Sequence, residues 1–194
     1  MEKKKQRKLI IMQSLAAMLE ERDLLKVTTA ELAKRSEITE AAIYKHFPSK
    51  RKIFEELVVF FEDSVFTRIK VMKEESKPED FPGQLIALVL KFCETNKGFS
   101  RILTREVFTA DEVKIIDKVS NCFEKINIEI RQSLQEYERT TKKKLNLNLA
   151  ASCDLLLSCL EGQIQSFVRS KFKKDLSGSW EDQWNFLKKA IFAN

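Results

Sequence analysis

Residues Thr28 to Lys50 read TTAELAKRSEITEAAIYKHFPSK, and their signals predict two short helices, a tight turn between them, and a third helix starting beyond Pro48. Thr28 is placed to cap the first helix, with Glu31 three residues on as the other half of a capping box. Leu32 and Ala33 give that helix its inner face. Ser36, Glu37 and Ile38 form the turn, with Ile38 as the apolar plug between the helices. Thr39 is a second N-cap, and Glu40 suits the positive end of the helix it opens. Ala41, Ala42 and Ile43 keep this second helix slim. It stops at Phe47, because the residue before a proline is pushed out of helical geometry, and Ser49 caps the long helix beyond. Two helices in this relation place the second in the major groove of DNA. Such turns often carry glycine, and here Glu37 stands at the position where a positive φ is expected. A plain α-hairpin inside a bundle shares the pattern, and charge separates the two readings.

Residues 1–53 hold 13 Lys and Arg against 7 Asp and Glu, whereas residues 54–194 hold 22 of each. The net charge of +6 therefore sits on the segment with the hairpin. That asymmetry is the footprint of nucleic-acid binding, because cations that neutralise phosphates release condensed counterions. The run Lys3, Lys4, Lys5, Arg7 and Lys8 reads either as a basic arm that follows the DNA backbone or enters the minor groove, or as a solvated tail.

The 194 residues suffice for a small DNA-binding head, 1–53, and a larger body, 54–194, for dimerisation and partner binding. Four Gly and three Pro are too few for a many-turned β protein, so the fold class is all-α. No apolar run reaches membrane-spanning length and the charged N-terminus lacks a signal-peptide core, so the expected location is the cytoplasm, at the nucleoid. Cys93, Cys122, Cys153 and Cys159 show no CxxC spacing and His46 is the only histidine. That set is poor in zinc ligands and reads as buried free thiols. The chain has no Gly-rich phosphate loop and no nucleophile elbow, and an enzyme, a metal or a cofactor is not expected.

Periodicity, caps and breakers predict nine helices. The first carries an apolar stripe of Leu9, Met12, Leu15, Ala16 and Leu19, and the hairpin gives the next two. The fourth runs over about 49–74, the fifth over 83–95, the sixth over 99–108, the seventh over 111–140, the eighth over 147–172 and the ninth over 180–192. On the fourth, Phe54, Leu57, Val58, Phe61, Val65, Ile69 and Met72 share one stripe, and Phe60 projects roughly 120° away from it. Phe60 is thus either covered by another helix or open to a partner. On the eighth, Ser158, Gly162, Ser166 and Ser170 recur every four residues, a strip of small side chains that admits a close helix. A mid-helix glycine costs about 1 kcal/mol against alanine, which points to a packing reason. A homodimer interface shared with Trp180 and Trp184 of the ninth helix supplies one, since major-groove readers usually work as symmetric pairs. Close packing inside one subunit is the other.

The lysine-rich N-terminus, the three-helix head with Tyr44-Lys45-His46-Phe47 and the all-helical body resemble the TetR family of regulators. The segments IMQSLAAMLE at 11–20, TEAAIYKHFPSK at 39–50, FFEDSVFTRI at 60–69, SRILTREVF at 100–108 and CLEGQIQSFVRSKFK at 159–173 are similar to the group of SlmA-type nucleoid occlusion factors. That resemblance implies a helix-turn-helix head on a dimerising helical bundle. It also implies binding to palindromic chromosomal DNA as a homodimer or higher-order assembly, and contact with the division protein FtsZ when DNA-bound. It places the FtsZ-facing surface at Phe60, Arg68, Leu88 and Asn96. Lys91 stands where a small residue is usual in the group, and Thr95 where an arginine is usual. The other reading of a TetR-like body is a ligand-released repressor, which needs a sizeable cavity with convergent polar groups.

Chemistry assigns roles in the head. Thr28 and Thr29 offer donors to a phosphate at a helix N-terminus. Thr39, Glu40 and Ala41 open the recognition helix, where Glu40 suits a cytosine amine and Ala41 a thymine methyl. Tyr44, Lys45, His46 and Lys50 suit the DNA backbone.

Overall fold

The computed structural model describes residues 2–21 and 27–193, with side chains from residue 6 onward. Nine helices occupy them: α1 Glu2–Glu20, α2 Thr29–Arg35, α3 Glu40–His46, α4 Lys50–Glu75, α5 Phe81–Thr95, α6 Lys97–Leu103, α7 Val113–Thr141, α8 Leu149–Arg169 and α9 Trp180–Ile191. Among the described residues the only β pairing is an isolated bridge between Leu145 and Phe192. No described helix is long and apolar enough to cross a membrane.

Short helices need help at their ends, because seven residues make few internal hydrogen bonds. The head provides it. Thr28 Oγ1 accepts from Glu31 N–H, Thr39 Oγ1 from Ala42 N–H and Ser49 Oγ from Lys52 N–H, each at 3.2 Å. Glu31 does not close the box, because its carboxylate lies toward Arg35 at 3.5 Å. Glu37 takes φ 53°, and Ile38 N–H donates to Ala33 O at 3.1 Å to finish the turn. Phe47 is extended, at φ −136°, and fully buried.

The body is organised by α5, whose Leu85, Ile86, Val89, Leu90 and Cys93 are all buried and which packs on α4, α6, α7, α8 and α9. A helix apolar on most sides belongs at the centre of a bundle. Burial holds the Cys93 thiol up at about 12. The expected stripe of α4 is inward, and α4 continues across residue 53, so the head and the body share one helix.

Four expectations change. The buried face of α1 is Ile11, Leu15, Met18 and Leu19, while Leu9 is 43% exposed, because α1 rotates to cross α6. At that crossing a Cβ on Gly98 would run into the carbonyl oxygen of Ala16, so only glycine lets the helices meet. The α1 backbone is helical from Glu2, so the basic run continues this helix; the side chains of Lys3, Lys4 and Lys5 lie outside the described residues. The sixth helix ends at Leu103, not Phe108: Arg105 is left-handed at φ 63°, and Phe108 leaves the axis to stack edge-on against Phe54 at 5.3 Å. The eighth ends at Arg169, because Lys171 and Phe172 are left-handed too.

Candidate nucleic-acid and partner interfaces

The head brings its expected polar residues to one side. Thr28, Thr39, Glu40, Ala41, Tyr44 and Lys45 are exposed, and Thr29 and His46 are half-buried. Tyr44, 48% exposed, donates its hydroxyl to Thr29 Oγ1 at 3.5 Å and so joins the start of α2 to the later part of α3. Glu40 and Ala41 occupy the first turn of α3, beside the Thr39 cap. This is an open edge of short polar and cationic side chains, suited to a phosphate backbone and groove floor. Lys50 is a correction. Its ammonium turns inward to the Val27 carbonyl and lies 5.8 Å from the Phe54 ring centre, and burial lowers its pKa, with Glu112 opposing. It braces the approach to α2 instead of pointing at solvent. Lys8 is held in the same manner, 5.1 Å over the Phe47 ring.

A second surface lies on the body. A hollow of about 360 Å³ between α4 and α5 is lined by Phe60, Arg68, Leu88 and Asn96, with Lys91 and Thr95 on its rim. Phe60 is 41% exposed and tilts against Phe99 at 5.9 Å, so it is neither sealed in the core nor isolated. Arg68 donates to Ser64 O at 2.9 Å, and Asn96 Nδ2 to Phe92 O at 2.9 Å, which fixes both side chains at the wall. Lys91 reaches Glu94 at 2.7 Å. The Glu94 carboxylate also accepts from Ser177 Oγ at 2.7 Å, and with Lys91 and then Ser177 as donors it is held at about 2. The loop between α8 and α9 is thereby tied to α5.

The third surface is the strip on α8. Ser158 and Gly162 are exposed, and a Cβ at Gly162 would meet nothing within 4 Å. Ser166 and Ser170 are half-buried, where Ser166 Oγ accepts from Lys174 at 3.4 Å. The two tryptophans expected beside this strip are corrected: both are buried in their own subunit. Trp180 Nε1 donates to Gly83 O at 2.8 Å, Trp184 packs where a Gly83 Cβ would be, and the rings stack at 6.3 Å. The outward aromatic of α9 is Phe186, 73% exposed. Periodicity held that signal, since two residues beyond Trp184 is about 200° around a helix, on the opposite face.

The N-terminal part of the chain, 11–57, matches the family model described as bacterial regulatory proteins, tetR family. Residues 83–191 match the SlmA-like model described as tetracyclin repressor-like, C-terminal domain. A nucleoid occlusion factor SlmA from Marinomonas sp. is 35% identical over 99% of this chain and 98% of its own. The chain belongs to the TetR family, within its SlmA-like group. Another SlmA-like relative, from Shewanella pealeana, is 38% identical over 93% of this chain and 92% of its own. The TetR-like fold extends to distant structures: the fatty acid degradation regulator FadR from Bacillus halodurans superposes with a TM-score of 0.76 at 14% identity, over 94% of this chain and 95% of that one.

Proposed function

We propose that this chain is a DNA-binding nucleoid occlusion factor that pairs as a homodimer, reads palindromic chromosomal sites with α3 and, when DNA-bound, engages FtsZ to block division-ring assembly over the nucleoid. The observation that carries the reading is the α4/α5 hollow, in which Phe60, Arg68, Leu88 and Asn96 form a single concave wall. The SlmA name of relatives that span nearly the full chain supports it. Phosphate contact falls to Thr28, Thr29, Tyr44 and Lys45, with the positive charge of the head supplying sequence-independent affinity. The dimer face is the Ser158, Gly162 and Ser166 strip with Phe186 beside it, in place of the tryptophans.

The decisive experiment pairs two variants. Phe60→Ala keeps its affinity for chromosomal DNA and loses co-sedimentation with FtsZ polymers; Lys45→Ala keeps its melting temperature and loses DNA affinity. Retained co-sedimentation in the first variant removes the hollow from the FtsZ surface. Mapping of bound chromosomal sites checks the biology: scattered sites that thin out near the replication terminus fit occlusion, and one or two promoter sites fit a local repressor.

A further inference from the structure

Phe60 lines more than the α4/α5 hollow. It also lines a larger one, about 700 Å³, between α1 and α4, whose apolar lining is Leu9, Met12, Val59 and Phe60. A third hollow of about 230 Å³ runs beneath, from Leu9 and Met12 to Phe99 and Asn96. The three share Phe60 and form one trough, with a wall from the head helix α1 and a wall from the body helix α5. Leu9, Val59 and Phe60 are large apolar side chains left 43%, 38% and 41% exposed on adjoining ridges. An apolar patch of this kind, rimmed by charge, marks a docking surface.

Charge along α4 identifies the occupant. Arg68 stands at the α5 end and has no carboxylate partner among the described residues, only the Ser64 carbonyl. Asp63 stands at the α1 end and has no counter-ion among them. Glu56, at the same end, is shared with Lys52 at 3.8 Å. From Glu56 to Arg68 the trough follows α4 for about 18 Å, the span of about five extended residues.

We infer that the partner surface continues past the α4/α5 hollow into the α1/α4 hollow, and that it takes one extended segment of the partner protein. That segment sets one apolar side chain on each side of Phe60, an acidic residue at Arg68 and a basic residue at Asp63. The inference rests on the reading that a protein partner occupies the α4/α5 hollow, and adds its extent, its polarity and the participation of α1.

The test uses the full chain, purified FtsZ and sheared chromosomal DNA. The double variant Leu9→Ser with Val59→Ser alters exposed positions outside the DNA face; it weakens FtsZ binding by about 10-fold or more, the scale of losing two interface anchors, at unchanged DNA affinity. Asp63→Lys, an exposed charge reversal that leaves the apolar floor intact, weakens FtsZ binding by several-fold and more so at low salt. Wild-type affinity in both variants alongside loss in Phe60→Ala overturns the extension and leaves the α4/α5 reading standing. Wild-type affinity in all three removes the FtsZ reading itself.

Discussion

The head and the body solve the same problem by different means. In the head, α2, α3 and the start of α4 each carry a side-chain cap, from Thr28, Thr39 and Ser49. In the body, α5, α6, α7 and α9 begin with no side-chain cap hydrogen bond, and only α8 has one, Asn148 Oδ1 accepting from Ala151 N–H at 2.9 Å. Long helices gain their stability from a buried face, whereas a seven-residue helix has too little face to bury and depends on its ends. The head is therefore held by local bonds and can present a polar edge to DNA. The body is held by packing and can leave hollows open at its margin.

That contrast is broken or sharpened by four substitutions. Trp184→Ala has the largest expected effect, a loss of about 3–5 kcal/mol, the usual cost of truncating a buried tryptophan, read by chemical denaturation. A loss below about 1 kcal/mol would mean that burial is not what holds α9.

Glu94→Gln comes next, with a loss of roughly 1–3 kcal/mol at neutral pH, because the carboxylate ties Leu176, Ser177 and Lys91 together. Its folded pKa of about 2 lies below the ordinary 4.5. The stabilisation is therefore present above pH 4.5 and lost as pH falls toward 2, so the gap between wild type and variant closes over that window. A gap independent of pH would show that shape, not charge, holds the loop.

Thr39→Ala removes the cap of α3 and costs about 1 kcal/mol, read as a shift of the denaturation midpoint. The same cap loss at α8, Asn148→Ala, falls at the low end of the range if long helices tolerate it. Equal losses would erase the distinction between the two regions. The smallest effect is a gain. Glu37→Gly relieves a left-handed side chain at φ 53°, and stability rises by up to about 1 kcal/mol, with glycine's larger unfolded-state entropy offsetting part of the relief. A decrease would show that Glu37 makes a contact worth more than its strain.

The same contrast explains what could be read in the residues alone. Caps and turns are encoded within three or four positions, so Thr28, Thr39, Ser49 and the left-handed Glu37 were legible one by one. The α4 stripe was legible too, since a 26-residue helix repeats its pattern many times. The rotation of α1 was not, because Leu9, Ile11, Met12 and Leu15 are all apolar and the choice between faces is made by α6 at Gly98. Trp180 and Trp184 were misplaced for a related reason. A short helix with a strong apolar face shows that it packs, while the partner, here Gly83 on α5, is distant in sequence. At the α4/α5 hollow, the residues that matched the family pattern are gathered by the fold, but Leu9 and Val59 needed the juxtaposition of two helices before they could be seen as one surface.

Gly98 carries a mechanical consequence. The crossing fixes α1 near Ala16, and the helix then extends about 20 Å to its basic end. With that fulcrum, a tilt of about 5° displaces the far tip by about 2 Å, enough to change both how the lysines sit along a duplex and how wide the gap beside Val59 stands. One rod, pivoting on the only residue type small enough to serve as its bearing, transmits the chromosome's grip to the neighbouring trough.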